Sequence, residues 1–570
     1  MVNNHFAISS LFCPVTTRDT AAFWTSVWIV AAVTVTFATC LEATFTHSAY
    51  LDAAHEKYFL QWRHTEENIT FRVEVATLGY VGFGISPTGD MTGSDIVTGF
   101  VTEQGDTFFY DRYATARAPP TVDASQDWTL EASGENGTHT FLQFSRNLVL
   151  CDDTDRSIKA GTTRVIWACH EQDPPHDTAL MYHGETRGAR SLMLLDGTGH
   201  TDRDMPADVQ KLDFRNDYAI PENRVTNYLY RGFKIPDFGG KKHVIAFEPI
   251  VQPGHESLVH HMFLYACLKD LDPDMYDGVQ HLRHYRGFPA DWNSCRITVI
   301  AWDVGGTGTH YPENVGMSLG GPGDPKFLLM ETHYNNPQHK KGIKDNSGLR
   351  LLYTSNLREH DLGFMQLGME AIGWTQIIPP GSQAFVSVGT CYPDCLEKAM
   401  EEASIDKVNV IGVHFHAHLA ARKMRIRHVR NGVELPWLGN DENFDFNFQQ
   451  TVRLQEERQI LKGDYLIAEC TYNTTDRKKV TYGGMSTQDE MCLGHILHYP
   501  RLTLRRCKSN PHESAYLAAL GATGVTFSKA KNVYGRNLRK LLHTVTWTEE
   551  LRQKLQVRTK RWKNVNSQHS

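Results

Sequence analysis

Val408-Asn409-Val410-Ile411-Gly412-Val413-His414-Phe415-His416-Ala417-His418 is dense in β-branched residues and ends in three histidines at alternate positions. β-Branched side chains fit a pleated surface, so the stretch is expected to be a strand. Side chains on a strand alternate between its faces, which puts His414, His416 and His418 on one side, where any two could grip one metal ion. The same strand signature recurs along the chain. Phe71-Arg-Val-Glu-Val75 alternates, Gly79-Tyr-Val-Gly-Phe-Gly-Ile-Ser-Pro87 is an apolar run into a turn, and Arg164-Val-Ile-Trp-Ala168 reads the same way. Glycines and aromatics are plentiful and long helical periodicities few, so a mostly β chain is expected.

At 570 residues the chain is too long for one core. Residues 48–199 read as a β-sandwich and the polar stretch His200 to Asp217 as a linker. Two further strand-rich regions follow, 218–356 and 357–511, and then a basic tail, 512–570. Between Lys529 and Lys563 the tail carries eleven Lys or Arg against two Glu, with Leu541, Leu542, Trp547, Leu551 and Leu555 interspersed. A helix packing its apolar face on the body is preferred there over one lying on a membrane. A formal charge of -7 gives no reason to expect nucleic acid.

Residues Thr20 to Leu41 are uncharged, with small residues Ala38 and Cys40 before Leu41. Residues 1–40 therefore read as a signal peptide, with a signal anchor as the alternative. Either places the body in the secretory-pathway lumen: endoplasmic reticulum, secretory vesicle or outside the cell, free or anchored to the membrane by this segment. N-x-S/T sequons at Asn68, Asn136 and Asn473 agree. Of eleven cysteines, Cys13 and Cys40 fall in the signal region. The remaining nine are expected to form disulfides and leave one over.

A second histidine pair lies in Leu258-Val-His260-His261-Met262, a lone His333 in Glu331-Thr-His-Tyr-Asn-Asn-Pro337, and Met491 in Asp489-Glu-Met-Cys492. Imidazoles with one thioether suit copper, because a thioether favours Cu(I) whereas zinc draws on thiolate and carboxylate. With 28 histidines in the chain, most serve as surface or hydrogen-bonded residues. Each half-set falls in a different region, so two metals, one per domain, is the natural reading.

Together the motifs resemble the ascorbate-dependent copper type II monooxygenases, the group that contains dopamine β-hydroxylase, and most nearly its DBH-like branch. The likeness runs from Ser48 to about Pro511. Gly79–Ser86 and Asp95-Ile-Val97 resemble a DOMON domain. Glu256–Met262, Glu331–Pro337, Asp345–Arg350, Phe415–Leu419, Asp441–Phe448, Cys470–Thr474 and Glu490–Cys492 resemble the paired copper domains. The resemblance implies a DOMON-like β-sandwich followed by two jelly-roll-like sandwiches holding two coppers. His260, His261 and His333 would bind the electron-transfer copper (H site). His416, His418 and Met491 would bind the oxygen-activating copper (M site), which leaves His414 beside it.

The activity implied is hydroxylation of an activated C–H of a small substrate by O2, with ascorbate as electron donor. Disulfides Cys267–Cys295, Cys391–Cys507 and Cys470–Cys492 are implied as well. Departures fall in the substrate pocket. Gln366 stands where amine-hydroxylating relatives have a glutamate, and His495 and His498 stand where tyrosines are common. A dopamine-like substrate therefore does not follow. A catalytically inactive copper-binding protein of the secretory pathway is the alternative reading, and an oligomer is compatible with either. A zinc hydrolase would want a carboxylate base and gains little from Met491.

Overall fold

The computed structural model describes residues 44–52, 56–150, 152–175, 179–195, 205–282, 287–304, 306–336, 338–370, 375–484, 486–511, 513–521 and 541–560. The segment 1–40, with Cys13 and Cys40, and Cys151 lie outside these residues. Among the described residues no helix is long and apolar enough to cross a membrane. The chain is mostly β, as expected, and divides into two compact units.

The first unit comprises residues up to Ile158 and Ile166–Gly188. Its five-stranded sheet runs in the order His47–Tyr50, Tyr58–His64, Asn68–Val75, Thr140–Asn147, Thr129–Glu135. A second sheet contains Val81–Ser86, Asp95–Val101 and Thr107–Tyr113. Phe71 of one sheet meets Phe83 of the other at 5.0 Å between ring centroids, and Trp128 and Phe144 fill the space around them. Asp95 is buried against Arg146 and accepts a hydrogen bond from Trp128 Nε1 at 2.8 Å. Carboxylate atoms of Asp95, Asp111 and Asp155 lie within 4.8 Å of one another.

That crowding makes the first unit sensitive to pH. Burial pushes Asp111 up to about 7. From about pH 4, where an ordinary aspartate ionises, to the raised value, the folded form keeps a proton that the unfolded chain releases. Stability is therefore complete at the acid end of this window, falls as pH rises through it, and levels off above. Asp111→Asn is expected to flatten the slope by about 1–3 kcal/mol between pH 5 and 8. Differential scanning at both pH values checks this, and equal slopes for wild type and variant would contradict it.

The second unit contains two sandwiches. In the first, one sheet has the order Gln210–Arg215, Gly348–Thr354, Lys242–Ile250, Val315–Leu319, His360–Asp361. The facing sheet has the order Gln280–Leu282, Thr226–Lys234, Phe327–Asn335, Val259–Cys267, Cys295–Asp303. The second sandwich pairs a sheet ordered Val452–Leu461, Lys407–His416, Leu493–Tyr499, Gly363–Gly368, Arg506–Lys508 with one ordered Phe385–Cys391, Tyr465–Tyr472, Ala421–Arg430, Val433–Asp441. Period-two alternation divides the first of these sheets. Met365, Leu367, Val413, Phe415 and Ile496 enter the second sandwich's core, whereas Phe364, Leu497 and Tyr499 join the core of the first. The two sandwiches thus meet through the sheet that carries His414 and His416.

Three boundaries differ from expectation. Gln210–Arg215, read as part of the linker, is a strand paired with Gly348–Thr354, and its Phe214 is buried. Leu212 and Phe214 alternate there, but charged neighbours hide so short a pattern. His360–Asp361 pairs in parallel with Val315–Leu319, so the first sandwich reaches past 356. At the other end Tyr516, Leu517 and Ala519 of the helix Glu513–Ala519 enter the second sandwich's core, past 511. In the basic tail, Leu542 and Leu555 are buried in that core and Arg552 Nε donates to Pro380 O at 2.9 Å, so the tail packs on the body.

Cys267–Cys295, Cys391–Cys507 and Cys470–Cys492 are disulfides, the three pairs that the resemblance implied. Cys169 and Cys395 are free. The sequon residue Asn136 is exposed; Asn68 and Asn473 are half-buried.

Candidate metal centre

His260 and His261 are neighbours on one strand and would ordinarily face opposite ways. The ladder explains how they do not. Val259 pairs with Tyr334 and His261 with His333, so two steps on one strand answer one step on the other and His260 is a β-bulge. A bulge re-aims a side chain at the cost of one unpaired position. The ring of His333 lies 4.8 Å from that of His260 and 4.9 Å from that of His261. Tyr228, opposite His333 in register, stacks on it at 4.4 Å. Phe446 stacks on His260 at 4.3 Å and Phe263 on His261 at 4.5 Å.

The chemistry of this donor set fits a metal. Nδ1 of His260 and Nδ1 of His261 are 3.4 Å apart. Two nitrogens each about 2.0–2.1 Å from one ion in tetrahedral geometry stand about 3.4 Å apart. Both ring nitrogens of His333 and Nε2 of His260 are buried without a hydrogen-bond partner, which buried polar atoms seldom are. Burial holds His260 down at about 4, leaving it neutral with a lone pair to give. Nε2 of His261 lies 3.2 Å from Glu331 Oε1, and burial raises that carboxyl to about 8.

The second set forms at the end of the strand Lys407–His416. Antiparallel pairing sets His414 opposite His495 and His416 opposite Leu493. The strand ends at His416, and His418, just beyond it, lies against the segment that holds Met491, with its backbone N–H on Glu490 and its ring on Asp489 O. Glu490, fully buried, secures this end: its carboxylate accepts from the backbone N–H groups of His418, Ala420 and Met491 at 3.0, 2.5 and 3.3 Å. Tyr472 Oη donates to Met491 O at 2.6 Å, and the Cys470–Cys492 disulfide locks the next residue. His418 Nδ1 donates to Asp489 O at 3.2 Å, which directs its Nε2 lone pair toward a metal. Burial holds His418 at about 3, again neutral.

The two sets come together. The rings of His261 and His416 lie 5.8 Å apart, and the buried carboxylate of Asp303 sits among them. It is 3.0 Å from His414 Nε2, 3.4 Å from His416 Nδ1 and 3.8 Å from His261 Nδ1. Burial alone would raise Asp303, but His414 and His416 outweigh it and hold the carboxyl well below its usual range. Asp303 carried no signal in the sequence, since it lies more than a hundred residues from His414. Phe446 and Glu490 lie within motifs already noted, but their contacts need the fold.

Of the pocket candidates, Gln366 and His495 meet: Gln366 Nε2 donates to His495 Nε2 at 2.8 Å. His498 does not join them. It is three residues from His495, so alternation sends it to the opposite face, where Nδ1 donates to Pro500 O at 3.0 Å. Its ring occupies the space over Gly363, where a Cβ would come within 2.3 Å.

Known proteins bear on this arrangement. Residues 212–341 match the N-terminal domain of the copper type II ascorbate-dependent monooxygenases, residues 360–519 match the C-terminal domain, and residues 54–170 match the DOMON domain. "DBH-like monooxygenase protein 1" of Homo sapiens is 43% identical over 484 residues, 84% of this chain and 77% of that protein. "DBH-like monooxygenase protein 2" of Mus musculus is 35% identical over 468 residues, 82% of this chain and 73% of that one. "Dopamine beta-hydroxylase" of Bos taurus is 32% identical over 460 residues, 79% and 73%. With both catalytic-domain matches falling on the two sandwiches that supply the converging histidines, this chain belongs to the copper type II ascorbate-dependent monooxygenase family, among its DBH-like members.

Proposed function

We propose that this chain is a two-copper monooxygenase that uses ascorbate and O2 to hydroxylate an activated C–H of a small substrate. The observation that carries the reading is the approach of two buried donor sets, His260/His261/His333 and His416/His418/Met491, with the Asp303 carboxylate between His261 and His416. Copper bound there would supply one-electron storage at the all-imidazole set and O2 activation at the set with the weaker thioether donor. The overall balance is R–H + O2 + 2 e⁻ + 2 H⁺ giving R–OH + H2O, with both electrons from ascorbate.

The chain's own residues keep the centre dry and in place. Phe263 and Phe446 cover the first set with apolar rings. Glu490 and Tyr472 hold the backbone of the second, so Met491 and His418 keep their positions without relying on the metal. Three disulfides support an oxidising compartment, in line with a secretory-lumen protein.

The purified chain is expected to bind two coppers and to consume O2 with ascorbate when given a suitable substrate. Metal analysis beside an oxygen electrode and product detection tests it. One copper per chain, or full copper loading with no product across phenethylamines, neutral aromatics and aryl carboxylic acids, would count against the reading.

A further inference from the structure

Two cross-strand rows run from the second donor set to the edge of its sheet. His416 pairs with Leu493, Leu493 with Gly368, and Gly368 with Lys508; the neighbouring row is His414, His495, Gln366, Arg506. Paired residues on adjacent strands share a face. Strands are spaced by roughly 4.8 Å, so the backbone of Lys508 stands about 14 Å along the row from that of His416. Exposure rises in the same direction: His414, His416 and His495 are buried, whereas Gln366, Arg506 and Lys508 are half-buried at the rim.

The free groups along these rows are donors. Arg506 is already engaged, its Nη2 donating to both carboxylate oxygens of Glu370 at 3.0 and 3.1 Å. Lys508 makes no ion pair among the described residues. Gln366 gives one amide hydrogen to His495 Nε2 and keeps a second. Because Nε2 of His495 accepts, its proton is on Nδ1, which is buried without a partner. The carboxylates nearby, Glu370 and Asp303, are committed to Arg506 and to the histidines. A half-buried ammonium whose neighbouring carboxylate, Glu370, is already held by Arg506, beside unsatisfied N–H groups, is a poor host for a substrate ammonium and a good one for an anion.

We propose that this face is the substrate subsite and that it selects a carboxylate-bearing substrate, anchored by Lys508 and Gln366, with the carbon to be hydroxylated directed toward His416, His418 and Met491. The proposal rests on the monooxygenase reading and names its substrate class. Burial holds Lys508 down at about 7, and a carboxylate beside it restores the full charge. A glutamate at position 366 would oppose this and favour an amine.

Calorimetric titration of the copper-loaded full chain with 3-phenylpropanoate, 3-phenylpropanamide and 2-phenylethylamine tests it. The acid is expected to bind at least about tenfold more tightly than the amine, the scale of one charge-assisted hydrogen bond. Lys508→Met should lose acid affinity far more than amide affinity, Lys508→Arg should retain much of it, and Gln366→Glu should move preference toward the amine. Tighter binding of the amine to wild type, no binding of the acid, or equal losses for acid and amide in Lys508→Met would each overturn the proposal. Binding needs no turnover, so an inactive but acid-selective protein would count against the monooxygenase reading and leave the anion site standing.

Discussion

Replacing Met491 by alanine is expected to lower product formation at least about a hundredfold, because loss of a direct ligand should match or exceed the 10–100-fold seen when the partners of ligands are lost. The reason is local. Met491 would be the only sulfur donor, and its backbone is pinned on both sides by Glu490, Tyr472 and the Cys470–Cys492 disulfide. The substitution removes the thioether and leaves those restraints intact, so the fold and the His260/His261/His333 set should survive. Circular dichroism, metal analysis and ascorbate-driven product formation separate the effects. A variant as active as wild type would remove Met491 from the centre.

Asp303→Ala is the second substitution with a large expected effect, here on stability and on both metal sets together. Asp303 is fully buried, and three imidazoles from two sandwiches face it. Removing one member of a buried charged network costs about 3–5 kcal/mol, which corresponds to a fall in Tm of roughly 5 °C for a unit of this size. The carboxyl is held well below its usual range, so its contribution is present above about pH 4, where an unfolded aspartate ionises, and is lost as pH falls further toward the lowered value. The gap between wild type and variant should accordingly be constant near neutrality and close in strong acid. Copper-loaded Asp303→Ala should also show altered electron paramagnetic resonance spectra for both coppers. A change confined to one, or an unchanged Tm, would show that Asp303 does not link the two sets.

Much of the centre was legible in residue order. Val408–Val413 reads as a strand and is one, so the alternation that puts His414 and His416 on one face could be stated beforehand. The choice between the three histidines needed the family resemblance. The fold adds why His414 stands apart: its Nε2 is taken by Asp303. Gln366 and His495, the two positions that depart from the relatives on this face, touch. His498 stands with His495 where tyrosines are common in the relatives, but alternation carries it to the other face. The linker reading failed at Gln210–Arg215, where two apolar residues among charged neighbours give too little pattern to show a strand whose partner lies more than 130 residues away.

The sequence by itself determined the donor types, the β architecture and the disulfide-bearing character, because softness, period-two alternation and cysteine content depend on residue identity and local spacing. Tertiary structure alone decided what stands opposite what. The bulge that turns His260 beside His261, the approach of His416 to His261 around Asp303, and the row joining His416 to Lys508 all arise from pairing between strands distant in the chain. Register is set by many long-range contacts at once, and no single stretch of residues contains it.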